Sequence, residues 1–368
     1  MSKGQSAALV ILDSEKAFDS VWIEGLVYKL IVSGISSPIS KLIHSFLINR
    51  KIRVKVGRVT SECATIPAGV PQGSVLSPTL FNLYTSDILS ANIKGVQMAA
   101  FADDLALYSH SQSPKKLLNR LENAVRQLTH KLTDWKIKTN PNKTDAIFFS
   151  HIQKNRPTTL QIGKTTIPLK HSVKYLGLHI DNKILWSNHV RSVNKIAKGK
   201  MGRIYSLLKS KMLNQRSKLI LYKAIIRPTL LYGCPVWRNS SHVHKVDAQL
   251  NNSMRMIAGV IKSTPKEWLS VLSHIPPPNL RSINALIGEY NKIQQNQNLP
   301  LLEDVDGANP SRLISRKPPT RTAIAAMDEE FSLIGSWQQE CSAKQNISIP
   351  CITHELPGFT YHVNHGQH

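Results

Sequence analysis

The chain has 368 residues, of which 41% are hydrophobic, so it is long and apolar enough to form two or three folded domains. Lys and Arg number 47 against 23 Asp and Glu, and the formal net charge of +24 indicates a polyanionic partner, with nucleic acid favoured over a membrane surface. No apolar run approaches the roughly 20 residues of a spanning helix or resembles a signal peptide. We therefore expect a soluble intracellular protein, nuclear or cytoplasmic, with no membrane partner.

The first predicted elements are a strand and two helices. Residues 7–12 are apolar and predict a buried strand that ends at Asp13. Helical patterns follow at residues 22–35, stopped near Gly34, and at residues 38–47. Asp13 is thus expected at the carboxyl end of a strand.

Residues 51–56 alternate basic with apolar side chains, which predicts a strand with one basic and one apolar face. The basic face carries Lys51, Arg53 and Lys55. We expect these three side chains to contact the backbone of a nucleic acid.

An acidic turn is predicted at residues 101–104, where Phe101 and Ala102 precede Asp103 and Asp104 between two apolar runs. One interpretation is an ordinary solvated turn, because adjacent aspartates repel each other and water can stabilise both charges. Asp13 favours a second interpretation, since a carboxylate at the end of a central strand can converge with a neighbouring hairpin tip. Three such carboxylates suit Mg²⁺, and two Mg²⁺ ions can promote phosphoryl transfer.

Ser113 and Pro114 predict the start of an amphipathic helix that continues to Trp135. Short strands are predicted at residues 146–149 and 175–180. Strands and helices therefore interleave in the first half, which indicates a mixed α and β fold.

The composition changes after Asp181, because residues 182–246 contain fourteen Lys or Arg and no Asp or Glu. We expect a domain boundary here, followed by a helix whose basic face carries Arg191, Lys195 and Lys198. Its apolar stripe consists of Val190, Val193, Ala197, Met201, Ile204 and Leu208. Beyond about residue 300, Pro and Ser become frequent and the periodicity fades, which predicts a loosely ordered end.

The four cysteines are scattered without C-x-x-C spacing, so neither a disulfide framework nor a standard zinc site is indicated. They are Cys63, Cys234, Cys341 and Cys351. A zinc site at Cys351 and the tail histidines is an alternative, but irregular ligand spacing favours a solvated polar tail. Those histidines are His354, His362, His365 and His368.

Five ordered motifs resemble those of reverse transcriptases, in particular the jockey-like group of non-long-terminal-repeat (non-LTR) retrotransposons. Motif A is similar to DSEKAFD at residues 13–19, motif B to AGVPQGS at residues 68–74 and motif C to FADD at residues 101–104. NPNK at residues 140–143 is similar to motif D, and YLG at residues 175–177 to motif E, the primer grip. The resemblance covers roughly residues 7–259.

This resemblance implies an α+β fold in which a polymerase right-hand palm, an antiparallel sheet with helices, precedes a helical thumb. The palm, with motifs A to E, would occupy residues 1–180 and a basic thumb-like domain residues 181–262. Residues 263–368 would be partly helical and then loosely ordered.

The implied function is that of an RNA-directed DNA polymerase, which joins deoxynucleoside triphosphates to the 3′-hydroxyl of a DNA primer on an RNA template with two Mg²⁺ ions. The resemblance implies that Asp13, Asp103 and Asp104 bind the metals and are catalytic. Lys143 would supply a proton or a positive charge to the departing pyrophosphate. An ordinary solvated Lys is the alternative for that residue.

The resemblance also implies binding residues. Phe18 would be the sugar gate that favours deoxynucleotides, against the alternative of a plain core Phe. Gln72 would contact the incoming nucleotide or the template, and Gly73 would let the backbone approach closely, against an ordinary turn. Tyr175, Leu176 and Gly177 would form a tight turn that supports the primer terminus, against the alternative of an ordinary turn between strands. Arg191, Lys195 and Lys198 would contact phosphates from the thumb.

The chain departs from the family pattern at its start, where only twelve residues precede Asp13. We therefore expect the basic fingers region and the upstream endonuclease to be missing, and the chain to bind primer and template but extend poorly. The alternative function is a truncated, catalytically inactive remnant that only binds nucleic acid. The sequence leaves the oligomeric state open.

Overall fold

The computed structural model describes residues 5–89, 93–150, 156–163, 165–296, 299 and 319–330. The chain divides into two compact units, residues 1–189 and residues 190–368. Cys351 and the tail histidines considered for zinc lie outside the described residues. Within the described ranges, no helix combines the length and the apolar character needed to cross a membrane.

The first unit contains all the described strands. In chain order they are β1 (Ser6–Leu12), β2 (Arg50–Ile52), β3 (Lys55–Val56), β4 (Val59–Thr60), β5 (Ala64–Ile66), β6 (Gln97–Phe101), β7 (Asp104–Ser111), β8 (Asp145–Phe149), β9 (Thr159–Ile162), β10 (Thr165–Lys170), β11 (Ser172–Tyr175) and β12 (Leu178–Asp181). Six of them form one sheet in the order β6-β7-β1-β8-β10-β9, in which β8 and β10 are parallel and the other neighbours antiparallel.

The helices of the first unit are α1 (Ile23–Val32), α2 (Ser37–Leu47), α3 (Ser77–Leu89) and α4 (Pro114–Asp134). As predicted, Ser113 and Pro114 mark the start of α4. Ser113 is the N-cap residue, and its side chain accepts a hydrogen bond from the Lys116 backbone N–H. Together with the sheet, these helices confirm the predicted α+β class.

A hydrophobic core covers each face of the sheet. Because side chains alternate in direction along each strand, neighbouring residues pack into different cores. On one face, Val10 and Leu12 of β1 pack in a large core with Leu121 of α4 and Phe81 of α3. On the other face, Ile11 packs with residues of β8 and β11. Strand β1 therefore lies in the centre of the unit, as the apolar run at residues 7–12 predicted.

Two strand predictions are wrong. The predicted strand at residues 51–56 is divided between two hairpins, since β2 pairs with β5 whereas β3 pairs with β4. Its apolar side chains are exposed, because neither hairpin pairs with the main sheet in the described part of the chain. The predicted strand at residues 175–180 is the β11–β12 hairpin, which turns at Leu176 and Gly177.

The second unit is helical in its described part. Its helices are α5 (Ser187–Arg203, which begins just before the unit), α6 (Tyr205–Lys209), α7 (Gln215–Leu221), α8 (Arg227–Leu231), α9 (Cys234–Trp237), α10 (His244–Ala258), α11 (Lys266–Ser273), α12 (Pro278–Gln295) and α13 (Pro319–Glu330). A π-helical turn, Tyr222–Ile226, joins α7 to α8. The apolar stripe predicted from Val190 to Leu208 is buried, and the basic side chains predicted beside it are exposed.

Candidate active site

Asp13 and Asp104 lie at the same end of two paired strands. Leu12 of β1 is opposite Leu105 of β7, and both are buried in the core on one face of the sheet. Because side chains alternate between faces, the next residues, Asp13 and Asp104, project from the other face. That face also carries the β11–β12 hairpin, through Val173.

Asp103 lies in the two-residue turn that joins β6 to β7, where Phe101 is paired with Asp104. Ala102 adopts a left-handed conformation with φ of 54°, which closes this tight turn. Asp103 is exposed and Asp104 half-buried. Burial raises the pKa of Asp104, and the charges of Asp103 and then Asp13 raise it further. Asp104 therefore lies close enough to Asp103 and Asp13 for both charges to act on it.

The segment after α4 fixes the backbone around Asp13. The Asp13 carbonyl accepts a hydrogen bond from Asn140 N–H (2.9 Å), and Glu15 N–H donates to the Lys138 carbonyl (2.8 Å). A short 3₁₀ helix, Pro141–Lys143, then brings Lys143 Nζ to 3.5 Å from Asp13 Oδ2. The structure thus brings together the two predicted catalytic residues Asp13 and Lys143.

The tight turn predicted at Tyr175, Leu176 and Gly177 is present. Leu176 (φ 45°) and Gly177 (φ 80°) form a two-residue hairpin loop with both φ angles positive. Tyr175 is half-buried, and its pKa is raised by burial and then by the charge of Asp104. The β11–β12 hairpin therefore places Tyr175 near Asp104.

The backbone of motif B packs directly against motif A. Val70 N–H donates to the Phe18 carbonyl and Gly69 N–H to the Val21 carbonyl, each at 2.8 Å. A Cβ atom at Gly69 would lie 2.7 Å from Asp19 Cα, so only glycine fits there. Gly73 also has a positive φ of 88°, but open space surrounds it. Within the protein, the close backbone approach in this motif belongs to Gly69.

Phe18 belongs to motif A and Gln72 to motif B, the two motifs that meet at this junction. Phe18 is half-buried and stacks on Phe81, with the ring centroids 4.5 Å apart. Gln72 is exposed, and its Nε2 donates to Asp19 Oδ1 at 3.0 Å. Phe18 thus packs against α3 while part of its side chain remains accessible.

The basic residues predicted to contact nucleic acid have exposed side chains. Lys51, Arg53 and Lys55 lie in the ribbon of two hairpins, β2–β5 and β3–β4. Arg191, Lys195 and Lys198 lie on α5 in the second unit.

Sequence reasoning missed a buried polar network beneath α1. Lys29 is buried, and its ammonium contacts the Tyr84 carbonyl, Asp87 and the face of the Trp135 ring. Burial lowers the pKa of Lys29, while Asp87 opposes that shift. Burial raises the pKa of Tyr84 to about 12, and its hydroxyl donates to the Trp135 carbonyl. A Lys inside the apolar run of α1 was the available signal.

A second missed residue is Arg50, which supports motif B. Its guanidinium donates to the Leu47 carbonyl at 2.9 Å and to the Ala68 carbonyl at 2.8 Å, and it also contacts the Gly69 carbonyl. These bonds tie the end of α2 to the segment before Gln72. No sequence pattern distinguished Arg50 from the other basic residues around it.

The aspartates offer the right donors for Mg²⁺ without forming a complete cage. Among the described residues, no group of three or more His, Cys, Asp or Glu side chains is arranged to hold a metal ion. Mg²⁺ is usually bound by one or two carboxylates together with waters and substrate phosphates, so a complete cage is not required. Burial and then the charges of Asp103 and Asp13 raise the pKa of Asp104, and a cation at this position would offset the repulsive part. The residues therefore fit a divalent cation in charge and donor type.

Residues 1–180 match the family model described as "Reverse transcriptase (RNA-dependent DNA polymerase)". The "Probable RNA-directed DNA polymerase from transposon X-element" of Drosophila melanogaster is 31% identical over 256 residues, which cover 68% of this chain and 28% of the relative. The "RNA-directed DNA polymerase from mobile element jockey" of the same species is 29% identical over 269 residues, 70% of this chain and 29% of the relative.

Among solved structures, apo telomerase from Candida tropicalis superposes with a TM-score of 0.40 and 12% identity, over 82% of this chain and 52% of that one. The chain spans less than a third of the length of the two curated relatives above.

Proposed function

We propose that this chain, whose residues 1–180 belong to the reverse transcriptase family and whose relatives are polymerases of jockey-like non-LTR retrotransposons, is an RNA-directed DNA polymerase core. It would transfer the nucleotidyl group of a deoxynucleoside triphosphate to the 3′-hydroxyl of a DNA primer on an RNA template and release pyrophosphate. The observation that carries the proposal is the position of Asp13, Asp103 and Asp104 at one edge of the sheet, where their charges interact.

The reaction proposed is nucleotidyl transfer with two Mg²⁺ ions held by Asp13, Asp103 and Asp104. When bound, Mg²⁺ would make the primer hydroxyl a better nucleophile and stabilise the charge on the leaving pyrophosphate. The raised pKa of Asp104 supports this role, because, after burial, the nearby charges of Asp103 and Asp13 disfavour its ionised form and a bound cation would favour it.

Lys143 is proposed to act on the leaving group. Its ammonium lies 3.5 Å from Asp13 Oδ2 and is largely exposed, so it can leave that carboxylate for a negatively charged phosphate. At the pyrophosphate it would supply positive charge or a proton as the bond to the α-phosphorus breaks. The 3₁₀ helix that carries Lys143 is bonded to the Asp13 backbone through Asn140, which supports this placement.

The nucleotide and the primer would be oriented by residues around this edge. Phe18, held against Phe81, would exclude a ribose 2′-hydroxyl, and Gln72 with Gly73 would contact the nucleotide. Tyr175, Leu176 and Gly177 would support the primer terminus. Tyr175 lies close enough to Asp104 that, after burial, the Asp104 charge contributes to its raised pKa. Correct orientation of the two reactants is worth several kcal/mol of barrier in such reactions.

Exposed cations would hold the nucleic acid. Lys51, Arg53 and Lys55 on the ribbon would contact phosphates, as would the basic face of α5. Phosphate contacts of this kind give affinity without sequence preference.

The experiment that tests the proposed function is primer extension by the purified chain on poly-rA with oligo-dT, dTTP and Mg²⁺. We expect slow extension that requires Mg²⁺ and stops when the metal is chelated. Chelation removes the group that activates the primer hydroxyl, whereas binding measured in parallel by fluorescence anisotropy should persist. Binding without any extension would instead support the binding-only alternative.

A further inference from the structure

We propose that Asp19 is a positioning residue, whose carboxylate sets the orientation of the Gln72 side-chain amide. Gln72 Nε2 donates to Asp19 Oδ1 at 3.0 Å. Gln72 Oε1 is then turned away from Asp19, so that it can accept a hydrogen bond from the incoming nucleotide. This inference rests on the proposed function, because it specifies how Gln72 contacts a nucleotide.

The chemistry of the two side chains decides the orientation. An ionised carboxylate can only accept hydrogen bonds, whereas a side-chain amide has a donor end and an acceptor end of similar shape. Asp19 therefore selects the amide orientation in which nitrogen faces the carboxylate. Without Asp19, the Gln72 amide would rotate freely and present either end to a ligand.

The backbone of Asp19 is fixed more firmly than its exposed side chain suggests. Val70 and Gly69 donate to the carbonyls of Phe18 and Val21, on either side of Asp19, at 2.8 Å each. The Asp19 N–H donates to a carbonyl of the preceding turn at 2.9 Å. The missing Cβ of Gly69 leaves just enough room for Asp19 Cα. The two motifs are thus joined where Gly69 meets Asp19, close in the chain to the Gln72 amide.

Asp19 contributes little to the stability of the fold by this bond. Both side chains are exposed, and a hydrogen bond between solvated groups is largely replaced by water when it breaks. A purely structural role for the pair would therefore give small changes in every property. A positioning role predicts a change in nucleotide affinity with little change in stability.

The first experiment observes the amide itself in the full chain. The Gln72 side-chain amide resonance is identified in ¹H–¹⁵N spectra as the one lost in Gln72→Met. We expect Asp19→Ala to shift this resonance and to speed its hydrogen exchange with water. The control is Glu122→Ala, which removes another carboxylate of this unit that accepts a single hydrogen bond, from Gln161 N–H at 2.9 Å. The control should leave the Gln72 resonance in place.

The second experiment separates nucleotide binding from chemistry in steady-state primer extension. We expect Asp19→Ala to raise KM for the nucleotide roughly three- to tenfold, the range that one hydrogen bond accounts for, with a smaller change in kcat. Asp19→Asn, which keeps an acceptor oxygen, should recover part of the loss. Glu122→Ala should have the KM and kcat of the parent chain.

A charge exchange tests orientation most sharply. Gln72→Glu alone places two carboxylates side by side and should raise KM further than Asp19→Ala. Adding Asp19→Asn restores a donor opposite the introduced carboxylate and leaves one oxygen of that carboxylate free to accept. The double variant should therefore lie closer to the parent than Gln72→Glu alone. Additive effects of the two changes would contradict the proposed pairing.

The two experiments distinguish failure of this inference from failure of the proposed function. If the parent chain extends no primer, the proposed function fails, and the spectra alone decide whether Asp19 holds Gln72. An unchanged Gln72 resonance in Asp19→Ala would overturn the inference whatever the activity. So would an unchanged KM in a variant whose parent extends normally.

Discussion

The two units of the chain use their charged side chains differently. In residues 1–189, several basic side chains form ion pairs with acidic side chains of the same unit. These ion pairs are Lys29–Asp87, Lys143–Asp13 and Lys170–Asp145. Residues 190–246 of the second unit contain no Asp or Glu, so cations such as Lys195 and Lys198 have no nearby acid in sequence. The first unit concentrates negative charge at the adjacent ends of β1 and β7, whereas residues 190–246 of the second carry basic side chains without acidic ones.

This difference suggests a division of work. A cluster of carboxylates repels phosphate unless cations intervene, so it is suited to chemistry and poorly suited to affinity. An acid-free basic surface gains affinity by releasing counterions from a nucleic acid and needs no exact geometry. Substitutions of the three aspartates should therefore affect turnover, and those of the basic side chains on α5 should affect binding.

The largest expected effect comes from the aspartates. Asp13→Asn or Asp103→Asn should reduce primer extension on the order of a hundredfold or more, because each removes a charge needed to hold Mg²⁺. Nucleic-acid binding should change little, and anisotropy titrations measured beside the extension rates check that separation. Glu15→Gln, an exposed neighbour of Asp13, is the matched control and should extend normally. Parent-level extension by Asp103→Asn would contradict the assignment of the site.

Charge reversal on α5 should give the next largest effect. Lys195→Glu with Lys198→Glu should weaken binding to a labelled DNA duplex and flatten its salt dependence by about 1.8 in log–log slope, about 0.9 for each lost phosphate contact. The control carries the same charge change at Lys115 and Lys116, which are exposed at the start of α4 in the first unit. Equal slopes for parent and variant would place the contact surface elsewhere.

Phe18 should affect selectivity more than rate. Phe18→Val removes the ring that would clash with a 2′-hydroxyl, so the ratio of ribonucleotide to deoxynucleotide incorporation should rise roughly tenfold or more. Single-nucleotide extension measures this ratio. Phe81→Leu removes the stacking partner of Phe18 but keeps the Phe18 ring, so this variant should raise the ratio less than Phe18→Val does. If the ratio stays constant in Phe18→Val, Phe18 is a packing residue only.

The smallest effect concerns stability and pH. The raised pKa of Asp104 means that the folded chain holds this proton more tightly than the unfolded chain. Stability should therefore fall as pH rises from the ordinary value of 3.8 through the raised pKa, and this part should stay constant above it. Asp104→Asn should give a small increase in thermal midpoint at pH 7 without Mg²⁺ and a smaller one near pH 4. A lower midpoint at pH 7 would show that Asp104 is not under electrostatic strain.

Part of the site could be predicted from sequence because its residues follow directly from strand ends. The apolar run at residues 7–12 fixed the position of Asp13, and the two apolar runs around residues 101–104 fixed the acidic hairpin. Two-residue hairpins and the alternation of side chains along a strand depend on neighbouring residues, so the local hydrophobic pattern of the sequence predicts them. That Asp13 and Asp104 share one face follows from the pairing of β1 with β7, which local patterns do not specify.

Other features depend on contacts between distant segments. The alternating residues 51–56 predicted one strand, but the pattern does not reveal that two different hairpins divide it or that its apolar face stays exposed. The hydrogen bond from Gln72 to Asp19 spans 53 positions, and Lys29 meets Asp87 across 58. A sequence pattern identifies such side chains as polar without showing their partners.

The most direct test of the central claim locates the metal on the polypeptide. Fe²⁺ bound in place of Mg²⁺ generates hydroxyl radicals with ascorbate and peroxide, which cut the backbone close to the ion. We expect cuts near residues 13 and 103–104, suppressed by excess Mg²⁺ and lost in Asp103→Asn. Cuts at other positions, or the same cuts in Asp103→Asn, would contradict a metal site built from these three aspartates.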